Sequence, residues 1–357
     1  ANEYVIVGNL QAANSTLASL LNQVISDYSI LRKLTMIFLR LENFENAYQA
    51  YKKGILTLSP LSLENQLELI YLCVINNKWQ EGLEHIQKLI SQNYTFAATF
   101  SMQAEVLMGL KQYSSALDAY DQSLQAKKKL AEYLLIKKNN EFFVPLAWIE
   151  AMEKNEFTLT RLAGCAIKAN QFEKSLASIN QVIRLQPSVS AYKLFAADIS
   201  LQLNDYETAY SYLSTIDMEN LNQEDEVLWP IKQAFDFLIN RFQRSNGVKK
   251  DFGTQFKNPL SECLAIMNLI SKDEFSEART AFLELSENLA NMKFSFGSEN
   301  ISVLLSQTWK NLTFRLAILC AIDLYEFQIA SGLINDWQQF TNCDVEPSLF
   351  TLLLVNA

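Results

Sequence analysis

The chain has 357 residues, of which 49% are hydrophobic and 19% are charged, with only 9 Gly and 6 Pro. This composition excludes an intrinsically disordered chain, and the scarcity of Gly and Pro disfavours the many tight turns of a β-sandwich or barrel. The formal net charge of -9 disfavours nucleic acid and anionic membranes as partners and favours a neutral or basic protein.

A short recurring pattern divides the first part of the chain. Residues 1–27 are predicted to form an N-terminal capping helix. After them, an aromatic residue followed three positions later by a small residue recurs as Phe44 with Ala47, Trp79 with Gly82, and Tyr113 with Ala116. The small residues are 35 and 34 positions apart. This period predicts three helical repeats over residues 28–129.

The middle of the chain first loses the period and then regains it. Residues 130–155 are predicted to be a non-repeat helical insert with a bend at Val144 and Pro145. Residues 156–221 are predicted to form repeats four and five, because Phe172 with Ser175 and Tyr206 with Ala209 restore the spacing.

The last third of the chain carries the pattern in a degenerate form. Residues 222–258 are predicted to be a long helix followed by a loop, and this segment is the predicted hinge or subdomain boundary. Residues 259–357 are predicted to form degenerate hairpins on the pairs Phe275 with Ala278 and Phe327 with Ala330.

The pattern has a physical basis in helix packing. Two helices that cross closely need a small side chain at the contact, and the aromatic residue is expected to fill the corner of the hairpin. Each hairpin leaves apolar surface that only a neighbouring hairpin can cover. The sequence therefore predicts an all-α fold of stacked helical hairpins.

The repeated unit resembles the tetratricopeptide repeat (TPR) family, whose unit is 34 residues forming two antiparallel helices. The residues that carry the resemblance are Leu162, Ala163, Ala166, Phe172, Ser175 and Pro187 in one repeat, and Phe38, Phe44, Ala47, Tyr51 and Pro60 in another. The resemblance implies a right-handed superhelical solenoid that holds a peptide or protein partner along its concave face.

The first helix of each hairpin lines the concave face in the resembling proteins. The positions that the resemblance places on this face are Arg32, Met36, Tyr71, Glu105, Thr160 and Asp198. They are mixed in charge, and the repeated Lys and Asn of a carboxylate clamp are missing. The asparagine ladder of the O-linked sugar transferase relatives is missing too, because the corresponding positions are Lys33, Glu68, Met102, Arg161 and Phe195.

A second resemblance gives an alternative function. The stretch from Ala321 to Phe350 resembles the last hairpin of cytoplasmic protein glycosyltransferases of the O-GlcNAc-transferase type and their N-glycosylating relatives, through Asp336 with Trp337 and Pro347 with Phe350. The chain also ends in an apolar run without a cap. The alternative is therefore the substrate-recognition domain of a larger cytoplasmic glycosyltransferase, and a degenerate terminal repeat with a buried Trp is the other interpretation.

The sequence contains little that points to a catalytic site. The only histidine is His85, the acidic trio Glu224 to Glu226 is expected to begin a helix, and no Walker, dinucleotide, zincin or hydrolase motif occurs. We expect no catalytic site, cofactor or metal, and a self-contained helical enzyme remains the third alternative. The 5 cysteines include no C-x-x-C pair, so neither a disulfide framework nor a zinc site is expected. Most of them fall within apolar helical runs as free thiols, which favours a reducing compartment and predicts a cytoplasmic protein. No segment reaches the roughly 18 uninterrupted apolar residues of a membrane span.

Overall fold

The computed structural model describes residues 10–22, 27–58, 60–137, 142–216, 228–242, 258–289 and 300–341. Within these ranges every regular element is an α-helix, which confirms the predicted all-α class. The helices of the first half are α1 Leu10–Asn22, α2 Tyr28–Arg40, α3 Phe44–Ile55, α4 Leu63–Ile75, α5 Trp79–Ser91, α6 Ala97–Gly109, α7 Tyr113–Gln125, α8 Leu130–Lys137 and α9 Leu146–Met152. Those of the second half are α10 Asn155–Lys168, α11 Phe172–Leu185, α12 Ser190–Gln202, α13 Tyr206–Ser214, α14 Leu228–Phe242, α15 Pro259–Ser271, α16 Phe275–Leu289, α17 Asn300–Asp323 and α18 Phe327–Thr341.

The chain divides into two compact units, Ala1–Thr158 and Leu159–Ala357. The predicted boundary at residues 222–258 is not where the division falls. Leu213, Leu228 and Leu260 belong to one buried cluster, so the elements before and after that segment share a core. The loop predicted around Ser245 and Gly253 lies outside the described residues.

Each aromatic residue of the recurring pattern begins a helix, as the spacing predicts. The seven residues are Phe44, Trp79, Tyr113, Phe172, Tyr206, Phe275 and Phe327. The small residue three positions later is buried in every case: Ala47, Gly82, Ala116, Ser175, Ala209, Ala278 and Ala330. The small side chains therefore lie at the helix crossings.

The aromatic residues themselves are less buried than expected. Phe172 is 7% exposed, whereas Phe44 and Phe275 are 41% and 47% exposed, and the other four are half-buried. The first residue of a helix lies beside the turn, where neighbours cover it on one side only. The expectation that the ring fills the corner is therefore wrong for Phe44 and Phe275, whose rings are exposed.

A left-handed residue ends the first helix of every hairpin in the pattern. It lies two positions before the aromatic residue and has φ between 55° and 63°; the seven are Glu42, Asn77, Lys111, Asn170, Asn204, Asp273 and Tyr325. The next N–H donates to the carbonyl five residues earlier at 2.7–3.0 Å, as in Asn43 to Phe38 and Gln112 to Leu107. This is the Schellman C-cap, which satisfies the last carbonyls and reverses the chain.

The predicted non-repeat insert is two short helices with a break between them. The bend expected at Val144 and Pro145 is confirmed, because residues 142–145 are non-helical and separate α8 from α9. A residue before proline is disfavoured in the α region, which explains why α9 starts only after Pro145.

No helix in the described ranges is both long enough and apolar enough to cross a lipid bilayer.

Candidate functional site

The first helices of the three hairpins of the first unit are α2, α4 and α6. They carry four of the predicted concave-face residues, with Arg32 and Met36 on α2, Tyr71 on α4 and Glu105 on α6. All four side chains are partly exposed. The non-helical stretch and short helix of the insert pack against these same helices.

A buried carboxylate, that of Glu68 on α4, lies at the centre of this site. Its side chain is fully buried, and Arg32 Nη2 donates to its Oε1 at 2.5 Å. The Tyr51 hydroxyl donates to the other oxygen at 2.6 Å, and the Phe143 backbone N–H donates to Oε1 at 3.3 Å. Burial raises the pKa of the Glu68 carboxyl, and the Tyr51 hydrogen bond and Arg32 charge oppose that rise. Three helices and the insert thus meet at one side chain.

Two tyrosine hydroxyls beside Glu68 are held by the same amide. Asn65 Nδ2 donates to Tyr28 Oη at 2.6 Å and to Tyr51 Oη at 3.1 Å. Arg32 Nη1 also donates to Tyr28 Oη, at 3.2 Å. Burial and the Glu68 charge raise the pKa of Tyr51, so its hydroxyl stays protonated and keeps donating to the carboxylate. The polar groups are therefore fixed before any partner arrives.

The ring of Phe143 lies against these groups. Its centroid is 5.4 Å from that of Tyr51 in an edge-to-face arrangement, and the Arg32 guanidinium is 5.9 Å from it. The same guanidinium is 6.0 Å from the Tyr28 centroid. Aromatic pairs and cation–π contacts at these distances are attractive, so they hold the Phe143 ring at this position.

The insert continues across the other two first helices. The Trp148 ring contacts Tyr71 on α4 edge-to-face at 5.2 Å. The Met152 carbonyl accepts from the Ser101 hydroxyl on α6 at 2.9 Å. Residues 142–152 therefore contact α2, then α4, then α6, and cover part of the face that the sequence predicts for a partner.

The other predicted concave-face residues differ in exposure. Glu105 accepts from the Tyr120 hydroxyl within its own hairpin at 2.5 Å, and Met36 is half-buried. Thr160 and Asp198 belong to the second unit and are 1% and 0% exposed. These two side chains offer no surface to a partner in this structure.

No protein-family model matches the chain, and no curated protein matches it. Solved structures that are similar include MamA from Desulfovibrio magneticus RS-1, at 15% identity and a TM-score of 0.40 over 52% of this chain and 91% of that one. PilF of Pseudomonas aeruginosa has 14% identity and a TM-score of 0.40, covering 78% of this chain and 97% of its own. A tetratricopeptide repeat protein from Parabacteroides merdae has 12% identity and a TM-score of 0.38, covering 87% and 95%.

The fold follows from the helical hairpins, from the buried small residue of each, and from the spacing of 34 or 35 residues at three of the six intervals between those small residues. The chain is built of tetratricopeptide-like hairpins. Their second helices begin with the aromatic residue, and their first helices end in the Schellman cap.

A buried polar network holds the tetratricopeptide-like hairpins of the second unit together. Arg315 Nη1 donates to Asp198 Oδ1 at 2.8 Å, and Asn311 Nδ2 donates to Oδ2 at 3.0 Å. The Trp337 indole donates to Asn311 Oδ1 at 3.2 Å, and the Arg315 guanidinium is 5.7 Å from its ring centroid. Asp198 and Trp337 are thus core residues, one from a predicted binding position and one from the glycosyltransferase resemblance.

The residues that the sequence offers as catalytic or metal-binding candidates are buried or partly buried, or they lie outside the described ranges. His85 Nε2 is 4.0 Å from a Glu81 carboxylate oxygen, and burial and the Lys88 charge lower the pKa of His85. Cys73, Cys165, Cys263 and Cys320 are buried free thiols, and burial raises the pKa of Cys73 to about 12. Within the part of the chain that the structure describes, no three His, Cys, Asp or Glu side chains are grouped as for a metal. Glu224, Asp225, Glu226, Cys343, Pro347 and Phe350 lie outside that part.

Sequence reasoning missed the two residues at the centre of the site. Glu68 was identified only as a position where a ladder asparagine is absent, and Phe143 only as part of an insert. The signal that could have found Phe143 is the apolar run Phe142, Phe143, Val144, which follows the polar stretch KKNNE. Such a run in a break between helices needs a surface to pack on.

Proposed function

We propose that this chain binds a peptide or protein along the first helices of the first unit, as a scaffold without chemistry of its own. The proposed contact residues are Arg32, Met36, Tyr71 and Glu105. The observation that supports the proposal is that residues 142–152 of the chain already lie across these helices. They do so through a backbone hydrogen bond to Glu68, the Phe143 ring beside Arg32, and a ring contact to Tyr71. A face that accepts one such segment has the chemistry to accept another.

The charges of the chain favour a neutral or basic partner. The net charge is -9, and Glu105 places a partly exposed carboxylate on the proposed face. Thr160 and Asp198 are left out of the proposed surface because their side chains are buried in the second unit. A cytoplasmic location stays a prediction from the free cysteines.

The test is capture of an identified partner by the full chain and by two groups of variants. Tyr71→Ala and Met36→Ala alter the proposed face, and Glu84→Ala alters an exposed side chain of α5 as a matched control. An aromatic anchor at an interface contributes more than about 1 kcal/mol, so Tyr71→Ala should reduce capture at least about fivefold. Glu84→Ala should leave it unchanged. Partners are identified by mass spectrometry, and circular dichroism verifies the helical content of each variant.

Two outcomes separate the proposal from its alternatives. A partner retained equally by both face variants would place binding elsewhere on the chain and end the proposal. The glycosyltransferase alternative has no observation in its favour among the described residues, because the Trp337 likeness is accounted for by core packing.

A further inference from the structure

The segment made of Phe142, Phe143 and Val144, here named the internal segment, behaves as a ligand of the first two hairpins. It belongs to neither α8 nor α9. It is joined through Phe143 to α2, α3 and α4, and the hydrogen bond from Phe143 to Glu68 spans 75 positions of sequence. Val144 is 3% exposed, so the segment is packed as well as bonded.

The internal segment makes one contact that almost any residue could make and a second that requires an aromatic side chain. The Glu68 carboxylate accepts a main-chain N–H, which every residue except proline supplies. The ring of Tyr51 and the guanidinium of Arg32 both contact the ring of Phe143, and only an aromatic residue supplies such a ring. The site therefore recognises an aromatic residue in a non-helical peptide, and proline two positions later keeps the intervening residue out of the helical region.

The site can release the internal segment without leaving a buried charge unpaired. Glu68 Oε1 keeps its ion pair with Arg32, and Oε2 keeps the Tyr51 hydroxyl. Asn65 holds that tyrosine whether or not Phe143 is present. Exchange of one peptide for another would therefore cost the Phe143 N–H bond, its ring contacts and the burial of Val144, which the incoming peptide must replace.

We infer that the internal segment is a tethered competitor, occupying the position of a partner peptide that presents an aromatic residue to Glu68, Tyr51 and Arg32. This inference rests on the proposed function and specifies its partner and its regulation. A tethered ligand has an effective concentration in the millimolar range when its linker is short. A partner therefore binds the free chain more weakly than it binds a chain whose internal segment has been weakened.

The experiment uses a fluorescein-labelled peptide with the sequence of residues 141–150, EFFVPLAWIE, and the full chain. Binding is followed by fluorescence anisotropy with the unmodified chain, with Phe143→Ala and with Phe143→Leu. We expect Phe143→Ala to bind the peptide about tenfold more tightly than the unmodified chain, because the tethered competitor has lost its ring. Phe143→Leu, which keeps an apolar side chain, should give an intermediate increase and remains informative should the alanine variant fold poorly.

Two controls define specificity. Leu135→Ala changes an exposed side chain of α8 outside the internal segment and should leave the affinity unchanged. A peptide with alanine in place of its second phenylalanine should bind every chain at least about tenfold more weakly, in line with the loss of an aromatic anchor.

Two results would overturn the inference. One is equal affinity of the unmodified, Phe143→Leu and Phe143→Ala chains for the peptide, and the other is equal binding of the alanine peptide. Either would leave the proposed function standing, provided that capture of an identified partner still depends on Tyr71. Loss of that dependence would instead remove the proposed function, and with it the inference that rests on it, whatever the affinities for the peptide.

Discussion

The turn between the two helices of a hairpin is decided by a single backbone conformation. Seven turns of the pattern have a residue in the left-handed region at the same place, yet only Asn77, Asn170, Asn204 and Asp273 are of types that tolerate it well. Lys111 and Tyr325, with φ of 59° and 61°, are of types that the left-handed region disfavours. The chain therefore retains backbone strain at specific turns, and glycine would relieve it.

Replacing Lys111 by glycine should stabilise the chain. A side chain in the left-handed region is disfavoured by about 1 kcal/mol, part of which the greater freedom of glycine in the unfolded chain offsets, so the expected gain is about 0.5 kcal/mol. Urea denaturation followed by circular dichroism measures it. Glu84→Gly, at an exposed interior position of α5, is the control and should instead lose about 1 kcal/mol. A loss for Lys111→Gly as well would contradict the explanation.

The close approach of Trp79 to Gly109 gives a second prediction for a single residue. A Cβ built on Gly109 would lie 2.4 Å from Trp79 Cδ2, whereas one on Gly332 would meet nothing within 4 Å. Gly109→Ala should therefore destabilise the chain by about 1 to 3 kcal/mol, as overpacking does.

The matched control is Gly332→Ala on the exposed side of α18, which should gain about 0.5 to 1 kcal/mol from helix propensity. Thermal and urea denaturation measure both variants. Destabilisation that persists in Gly109→Ala with Trp79→Leu would show that the ring is not the cause.

At the scale of the element, the sequence predicts the helices well and their long-range contacts poorly. The aromatic residue and the buried small residue three positions later mark where each second helix begins, because the close crossing of the two helices of a hairpin requires the small residue at that place. Pro145 likewise determines the break in the insert from local sterics alone. The contact of Phe143 with Glu68 and that of Arg315 with Asp198 join residues 75 and 117 positions apart. Such pairs depend on tertiary packing, which neither periodicity nor propensity encodes.

The buried pair between α12 and α17 gives a prediction at this scale. Asp198 and Arg315 have side chains that are 0% and 2% exposed and joined at 2.8 Å. Arg315→Met leaves a buried carboxylate without its counter-charge, so the free energy of unfolding should fall by about 3 to 5 kcal/mol. Adding Asp198→Asn removes that charge, and the double variant should recover part of the loss.

The control for this prediction is a partly exposed pair in the same unit. Lys232 and Asp236 lie one turn apart on α14 at 2.9 Å, with side chains 20% and 19% exposed. Lys232→Met should cost about 0.5 kcal/mol or less, because water already screens the pair. Urea denaturation measures all variants, and equal losses for Arg315→Met and Lys232→Met would refute the role assigned to burial.

At the scale of the whole molecule, stability is distributed over separate buried clusters. One cluster runs from Leu17 to Cys73 and contains Leu31, and another runs from Leu194 to Trp337. The two share no residue. In arrays of hairpins each element contacts mainly its neighbours, so a change in one cluster is expected to act locally.

Local action is testable by combining two core substitutions. Leu31 is 0% exposed, and Leu31→Ala should cost about 2 to 5 kcal/mol in the first cluster. Hydrogen exchange with mass spectrometry should show faster exchange in α2 and α3 for Leu31→Ala, and in α12, α17 and α18 for Arg315→Met. Because the two sites share no partner, the losses in the double variant should add within about 0.5 kcal/mol. Faster exchange of both sets of helices from either single substitution would mean that the hairpins unfold as one cooperative body.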